Sequence, residues 1–233
     1  AQVDVRKAIA NPSFDAQQNI MGSIRLIELC RQNGVKKIIY ASTGGAVYGE
    51  PLYFPADENH PIRPLSPYGI SKHTVEHYLE LASMNYGLNY TVLRYANVYG
   101  PRQNAHGEAG VIAIFAMAML NGKHPTIFGD GSSTRDYVFV EDVVHANLLA
   151  LEAGNQQLYN VGTGCETKLN DLFNGLKKAV GIEMDAIYAP ARLGEVDRIA
   201  LTHNKIKRDL GWVPSHALEE GLEKTIRYYR SMR

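Results

Sequence analysis

Tyr68 and Lys72 stand four residues apart in the stretch Ser66-Pro67-Tyr68-Gly69-Ile70-Ser71-Lys72. On a helix that spacing puts both side chains on one face. Pro67 suits the start of such a helix, because the N–H it lacks would have no partner in the first turn. The pattern then continues to about Tyr86. A phenol titrates near ~10 and is no base at neutral pH, but a neighbouring ammonium favours the phenolate. Lowering the pKa from ~10 to ~7 takes roughly 4 kcal/mol at about 1.36 kcal/mol per unit. One lysine in partial contact with solvent supplies only part of this, so the chemistry asks for a second positive charge.

Many exposed helices carry Tyr and Lys at this spacing by chance. Weight comes from Ala41-Ser42-Thr43-Gly44-Gly45-Ala46-Val47-Tyr48-Gly49, about 25 residues upstream. It follows the apolar run Val35 to Tyr40, which predicts a buried strand. A hydroxyl at a strand's C-terminal end, ahead of a glycine-permissive turn, lies where open α/β sheets bind ligands. Thr43, Tyr68 and Lys72 thus form a candidate proton-handling trio.

Ser-Thr ahead of Val-Tyr-Gly, then Pro-Tyr-Gly-x-Ser-Lys, resembles the extended short-chain dehydrogenase/reductase (NAD-dependent epimerase/dehydratase) family, and within it the nucleotide-sugar epimerases. The similarity runs over essentially the whole chain. It implies a Rossmann-like parallel sheet with a smaller mixed α/β substrate-binding lobe. Residues 1–110 with 136–165 would form the cofactor domain, and 111–135 with 166–233 the substrate lobe. The implied cofactor is NAD, whose oxidised nicotinamide ring would be the second cation. The implied reaction is inversion at the sugar C4 of UDP-glucose or UDP-galactose through a 4-keto intermediate. Tyr68 would be the base, Thr43 would bridge the C4 hydroxyl, and Lys72 would hold the cofactor ribose.

The same resemblance carries further residues over. Asn19 and Ser42 join Tyr68 and Lys72 as cofactor contacts. Asn97, in the turn Asn97-Val98-Tyr99-Gly100-Pro101-Arg102, would touch the sugar-nucleotide diphosphate. Within Thr126 to Tyr137, Phe128 would stack on uracil and Arg135 reach a phosphate, a task suited to a planar, always charged guanidinium. In Ala189 to Arg198, Arg192 would bind the diphosphate and Glu195 the uridine ribose, with Arg198 a second candidate. Ile199 stands where a bulky tyrosine limits the 2-substituent in relatives, which implies a roomier pocket. A homodimer would form through the helices at 11–33 and 68–86.

Two rivals stay open. Within the family, a 4,6-dehydratase needs an Asp-Glu pair after the active-site threonine; here Gly44-Gly45 follows Thr43 and can move no proton. Decarboxylases and epimerases of UDP-uronates or UDP-N-acetylhexosamines are compatible with the motifs. Outside it stands a non-catalytic module that holds nucleotide sugar or only dimerises. Its support is that no G-x-x-G-x-x-G turn occurs in the chain, nor the acidic residue that follows it. In relatives a segment like Ala1 to Arg6 comes after roughly the first three or four strands. The resemblance therefore implies an N-terminally truncated member, or else a natural short form.

The bulk numbers fit an enzyme of this kind. The 233 residues are 45% hydrophobic, enough for a sizeable core, and 24 basic side chains balance 24 acidic ones. That balance argues against a nucleic-acid footprint or a polybasic membrane surface. Cys30 and Cys165 show no metal-ligand spacing, so no metal and a reducing, cytoplasmic setting are expected. The longest apolar run, Val111 to Leu120, is too short to span a bilayer.

Helices are predicted at 11–33, 68–86, 110–122, 169–180, 204–210 and 218–229, with another entered from a strand at 138–140. Strands are predicted at 36–43, 89–95, 158–161 and 184–188, about four of the chain's strands lying parallel in one sheet. Residues 50–67, with five prolines, are loop, and 126–137 reads locally as a glycine-turn hairpin. Trp212 is expected to plug a core.

Overall fold

The computed structural model describes residues 1–105, 110–191 and 196–232. Its centre is a parallel sheet of β1 (Lys37–Thr43), β2 (Asn89–Tyr95) and β7 (Gln157–Val161), with β2 in the middle. Register pairs Lys37 with Asn89 and Thr43 with Tyr95, and Tyr95 with Val161, so three strand ends finish level.

Alternation along β2 shows how the sheet is sandwiched. Val92 packs with Ile27, Val75 and Leu79 from helices on one face, whereas Leu93 packs with Val143, Ala146, Tyr159 and Trp212 on the other. Thr91 to Arg94 are all buried, so β2 is covered on both faces. The first face is covered by α3 (Gly22–Gln32) and α5 (Pro67–Tyr86), the second by α7 (Val140–Glu152) and α9 (Asn204–Leu210). Trp212 is fully buried, and its indole N–H donates to the Asp142 carbonyl at 2.9 Å.

α5 starts as its sequence dictates. Ser66 caps it by accepting from the Gly69 N–H at 3.2 Å, and Pro67 takes the first turn. Gly87 ends it at φ 69°, a left-handed conformation suited to glycine. Gly69 has a different reason to be glycine: a Cβ there would stand 2.4 Å from the Ala46 carbonyl oxygen. That contact seats the first turn of α5 on α4 (Gly44–Val47), the short helix that follows Thr43.

A second core lies under α6 (Val111–Leu120), α8 (Leu169–Val180) and α10 (Leu218–Ser231), where Ile112, Phe115, Met119, Leu176 and Ile226 meet. No helix among the described residues is long and apolar enough to cross a membrane.

Several expectations need correction. The main sheet has three parallel strands rather than about four, because β6 (Tyr137–Phe139) pairs instead with β3 (Asn97–Tyr99). Asn97 to Tyr99, read as turn, is therefore strand. Residues 126–137 form no hairpin: β4 (Thr126–Phe128) runs parallel to β9 (Ile187–Ala189), and β5 (Thr134–Arg135) pairs with β8 (Thr167–Lys168). Non-local partners outbid the local turn. The single helix expected over 11–33 is α2 (Pro12–Ala16), a π-helical turn at Gln17–Met21, then α3. Ahead of it α1 (Val5–Ala10), which was not foreseen, is capped by the Asp4 carboxylate.

Candidate active site

Thr43, Asn97 and Thr163 mark where the chain leaves the C-terminal edge of the central sheet or the strand just beyond it. Thr43 Oγ1 and Asn97 Oδ1 both lie within 4 Å of the point where a Cβ on Gly45 would sit, so Gly45 keeps the space between them open. Thr43 is the N-cap of α4, yet its hydroxyl makes no capping bond. Asn97 is exposed on its side-chain side while its backbone N–H is tied to the Asp136 carbonyl at 2.8 Å. Both polar side chains are thus held in place by backbone and left open to a ligand.

Tyr68 is half-buried on the first turn of α5, and Lys72 follows one turn on, 7% exposed. The Lys72 ammonium donates to the Ala41 carbonyl at 2.9 Å, which anchors it to the end of β1. It lies 4.9 Å from the Tyr40 ring centre and 5.9 Å from that of Tyr68, and it makes no ion pair among the described residues. The structure thus brings Thr43, Tyr68, Lys72 and Asn97 to one rim.

Electrostatics there differ from the expectation that Lys72 alone starts to lower the Tyr68 pKa. Burial, and then the charge of Asp15, push the Tyr68 phenol up to about 12. Burial also lowers the Lys72 pKa, with Asp15 and Glu76 opposing. From about 12 to about 7 is roughly 7 kcal/mol, well beyond the ~4 that the free phenol requires. The second cation is therefore a stricter need than the sequence suggested.

Two carried-over residues have partners within the protein. Both Asn19 side-chain N–H donors are used, on the Gln2 carbonyl at 2.8 Å and Asp15 Oδ1 at 3.0 Å, and its oxygen accepts from the Gln2 N–H. Ser42 donates to Glu76 Oε1 at 2.6 Å inside the core. Arg198, the second candidate, is paired with Glu166 at 2.6 Å and lies 4.2 Å from the Phe54 ring centre. Ile199 is 2% exposed and packs with Val47, Tyr48, Ala56 and Leu201, so it is core rather than pocket wall. Arg192 and Glu195 lie outside the described residues.

Phe128 and Arg135 meet in a cavity of about 220 Å³ with Gly129, Asp130, Ser132, Ser133, Ala191, Val196 and Asp197. Arg135 Nη1 donates to the carbonyls of Thr134 and Asp197 at 2.8 and 3.2 Å, which orients the guanidinium. This cavity is lined by none of the residues at the Tyr68 rim.

Sequence reasoning missed the polar groups that brace the rim. Asp136, fully buried, accepts from the Thr163 N–H and hydroxyl and from the N–H groups of Gly164 and Leu201, and burial raises its pKa. It stitches the end of β7 to the segment beside α4. Glu76 and Arg94 form a buried pair at 2.5 Å that also engages Ser42 and the Tyr48 hydroxyl. Asp15 accepts from Ser71 at 2.6 Å and so ties α2 to α5. A charge next to the strand's apolar centre, Arg94 after Val92-Leu93, was the one available signal.

Level strand ends on a parallel sheet covered by helices on both faces define a Rossmann-like α/β protein, a class that binds its ligands at that edge. The model of the NAD dependent epimerase/dehydratase family matches residues 1–162. The chain is 51% identical to the crystal structure of the UDP-glucose 4-epimerase with UDP-glucose from Thermotoga maritima, at a TM-score of 0.98 over 100% of this chain and 75% of that one. Against the Thermus thermophilus UDP-glucose 4-epimerase complex with NAD it is 42% identical, with a TM-score of 0.95, covering 100% of this chain and 76% of that one. The UDP-glucose 4-epimerase of Mycolicibacterium smegmatis is 45% identical over 232 residues, 99% of this chain and 74% of that protein. The chain belongs to the NAD dependent epimerase/dehydratase family.

The family's cofactor can be tested against the residues present. A buried ammonium with a single carbonyl partner is an unfinished environment, and a ribose diol would complete it. Lys72 and Tyr68 therefore fit the ribose and nicotinamide portion of NAD. Asn19 and Ser42 direct their side-chain donors to Gln2, Asp15 and Glu76.

Proposed function

We propose that this chain carries the catalytic apparatus of a nucleotide-sugar 4-epimerase that interconverts UDP-glucose and UDP-galactose with NAD. The observation that carries the reading is the rim itself: uncommitted Thr43 and Asn97 side chains beside Tyr68 and a buried, unpaired Lys72. The named relatives support the substrate. NAD, when bound, serves as a reversible two-electron acceptor for the sugar C4 and contributes the second positive charge.

The protein's own part is positioning and proton transfer. Thr43 Oγ1 holds the C4 hydroxyl, Tyr68 Oη takes its proton as phenolate, and Lys72 holds the cofactor ribose while its charge favours that phenolate. The proton returns from Tyr68 when the 4-keto sugar is reduced on its other face. Turning the sugar requires a firm grip on the nucleotide and a loose one on the hexose. Phe128 and Arg135, in a separate cavity from Tyr68, suit the grip, with Arg192 and Glu195 assigned to the same end. We assign the cofactor to residues 1–110 with 136–165 and the sugar nucleotide to 111–135 with 166–233. The homodimer through the helical segment 11–33 and α5 is part of the same proposal.

Assaying interconversion of UDP-glucose and UDP-galactose by the chain with added NAD tests the reading. Tyr68→Phe should lower kcat by about 10²–10⁴-fold with substrate binding retained. Turnover equal to the parent in Tyr68→Phe would remove the base from the mechanism. UDP-sugar binding with no turnover would favour the non-catalytic module.

A further inference from the structure

Residues 196–202 run between two places that share no lining residue, the cavity with Phe128 and Arg135 and the rim at Thr43. At one end Val196 and Asp197 line that cavity. The Asp197 carbonyl accepts from the Thr134 N–H at 3.0 Å and from Arg135 Nη1 at 3.2 Å. At the other end the fully buried Leu201 lies on Gly44, the residue after Thr43. A Cβ at Gly44 would stand 2.2 Å from Leu201 Cδ1, so the leucine fills the space that a side chain there would take. Leu201 also packs with Val47 and Tyr48, and so bears on both ends of α4.

Backbone bonds keep this segment seated. The Leu201 N–H donates to Asp136 Oδ2 at 3.1 Å, the Ala56 N–H to the Ala200 carbonyl at 2.8 Å, and the Thr202 N–H to the Ala56 carbonyl at 3.0 Å. Gly162 leaves room for the first of these. A Cβ there would lie 2.6 Å from Asp136 Oδ2 and 3.0 Å from Leu201 Cβ. Asp136 also offers its carbonyl to the Asn97 N–H, so one residue places both Leu201 and Asn97.

We propose, on the reading of the Phe128 and Arg135 cavity as the nucleotide site, that residues 196–202 are a strap coupling its occupancy to the position of Thr43, with Leu201 as the positioning residue. While the strap is seated, the Asp197 carbonyl orients the Arg135 guanidinium. A nucleotide that uses this guanidinium therefore binds the seated form better than a lifted one, and its binding opposes lifting. Leu201 passes that restraint through Gly44 to α4, which Thr43 caps. The grip on the nucleotide thereby sets Thr43 for the sugar, although no residue of the rim touches the cavity.

Amide hydrogen exchange of the full chain with and without UDP tests the coupling. If lifting the strap excludes the nucleotide, UDP at about ten times its Kd should slow exchange about tenfold at Thr202 and across residues 44–48. Leu201→Ala should bind UDP as the parent does and keep the effect at Thr202, yet lose it at 44–48. Should that truncation unfold the chain, the gentler Leu201→Val should diminish the effect at 44–48, and Leu201→Met, which keeps the volume, should restore it. A merely structural leucine would change exchange at 44–48 equally with and without UDP, and that result would count against the strap. With NAD and UDP-glucose, Leu201→Ala should lower kcat more than it raises KM. UDP bound by the parent with no slowing at 44–48 would overturn the proposal. So would no binding of UDP at all, which would remove the nucleotide reading with it. Slowing at 44–48 in a parent that never interconverts UDP-glucose and UDP-galactose would support the strap and sink the epimerase reading.

Discussion

At Tyr68 two demands oppose each other: the base must sit where solvent is excluded, and exclusion of solvent disfavours the phenolate. Burial and Asp15 push its pKa up to about 12, so in the chain without NAD the phenol stays protonated at neutral pH. A near-ultraviolet difference titration of the parent against Tyr68→Phe should show this phenol ionising near pH 12, and earlier once NAD is added. Asp15→Asn should move the midpoint down, since it removes the negative charge that opposes ionisation. A midpoint unmoved by NAD would deny the cofactor its electrostatic role. Thr43 and Asn97 behave differently, because their side chains carry no structural duty: Thr43→Val should cost turnover and leave the unfolding midpoint nearly unchanged.

Helix α5 is where placement turns into chemistry, and two features hold it. Gly69 lets its first turn touch the Ala46 carbonyl. Gly69→Ala should destabilise by about 1–3 kcal/mol, as overpacking does, and lower kcat because Tyr68 moves with the turn. Its midpoint is bound to Arg94 through Glu76. Burial alone would raise the Glu76 pKa, but hydrogen bonds from Arg94 and His73, the guanidinium charge and Ser42 hold it down at about 2. A depressed carboxylate stabilises the fold above its unfolded value near ~4.3 and loses that contribution as pH falls through the folded value. Urea midpoints should therefore drop between roughly pH 5 and 2 in the parent. Glu76→Gln should be less stable at neutral pH by about 3–5 kcal/mol, because it leaves Arg94 buried without a counter-charge, and should lack that part of the acid-side loss.

For the molecule as a whole, the central sheet is open at β1, whose second edge meets no strand among the described residues. Across the sheet, Val144, Leu148 and Leu151 form an exposed apolar stripe along α7, each more than half exposed. Open strand edges and contiguous apolar faces both promote association. Light scattering should show self-association of this chain that grows with concentration. Leu148→Lys should raise the concentration at which it begins, with stability changed by no more than about 0.5 kcal/mol.

Local periodicity and chain punctuation were enough to place β2, α8 and α9 and to start α5 at Ser66-Pro67, since those signals depend on neighbours within one turn. Residue types at fixed spacing also marked Thr43, Tyr68 and Lys72, and the family resemblance added Asn97. Partners distant in sequence were beyond reach of such reasoning. The pairing of β4 with β9 and of β3 with β6, the Asp136 clasp and the Glu76–Arg94 pair each join residues whose separation carries no periodic signal. Nor could residue type tell an available side chain from a committed one. Ser42 and Thr43 are adjacent hydroxyls on one strand, and alternation turned Ser42 inward to Glu76 and left Thr43 at the rim. The sequence by itself determined which groups could do the chemistry; tertiary packing decided which were left free to do it, because a donor already satisfied in the core has nothing to offer a ligand.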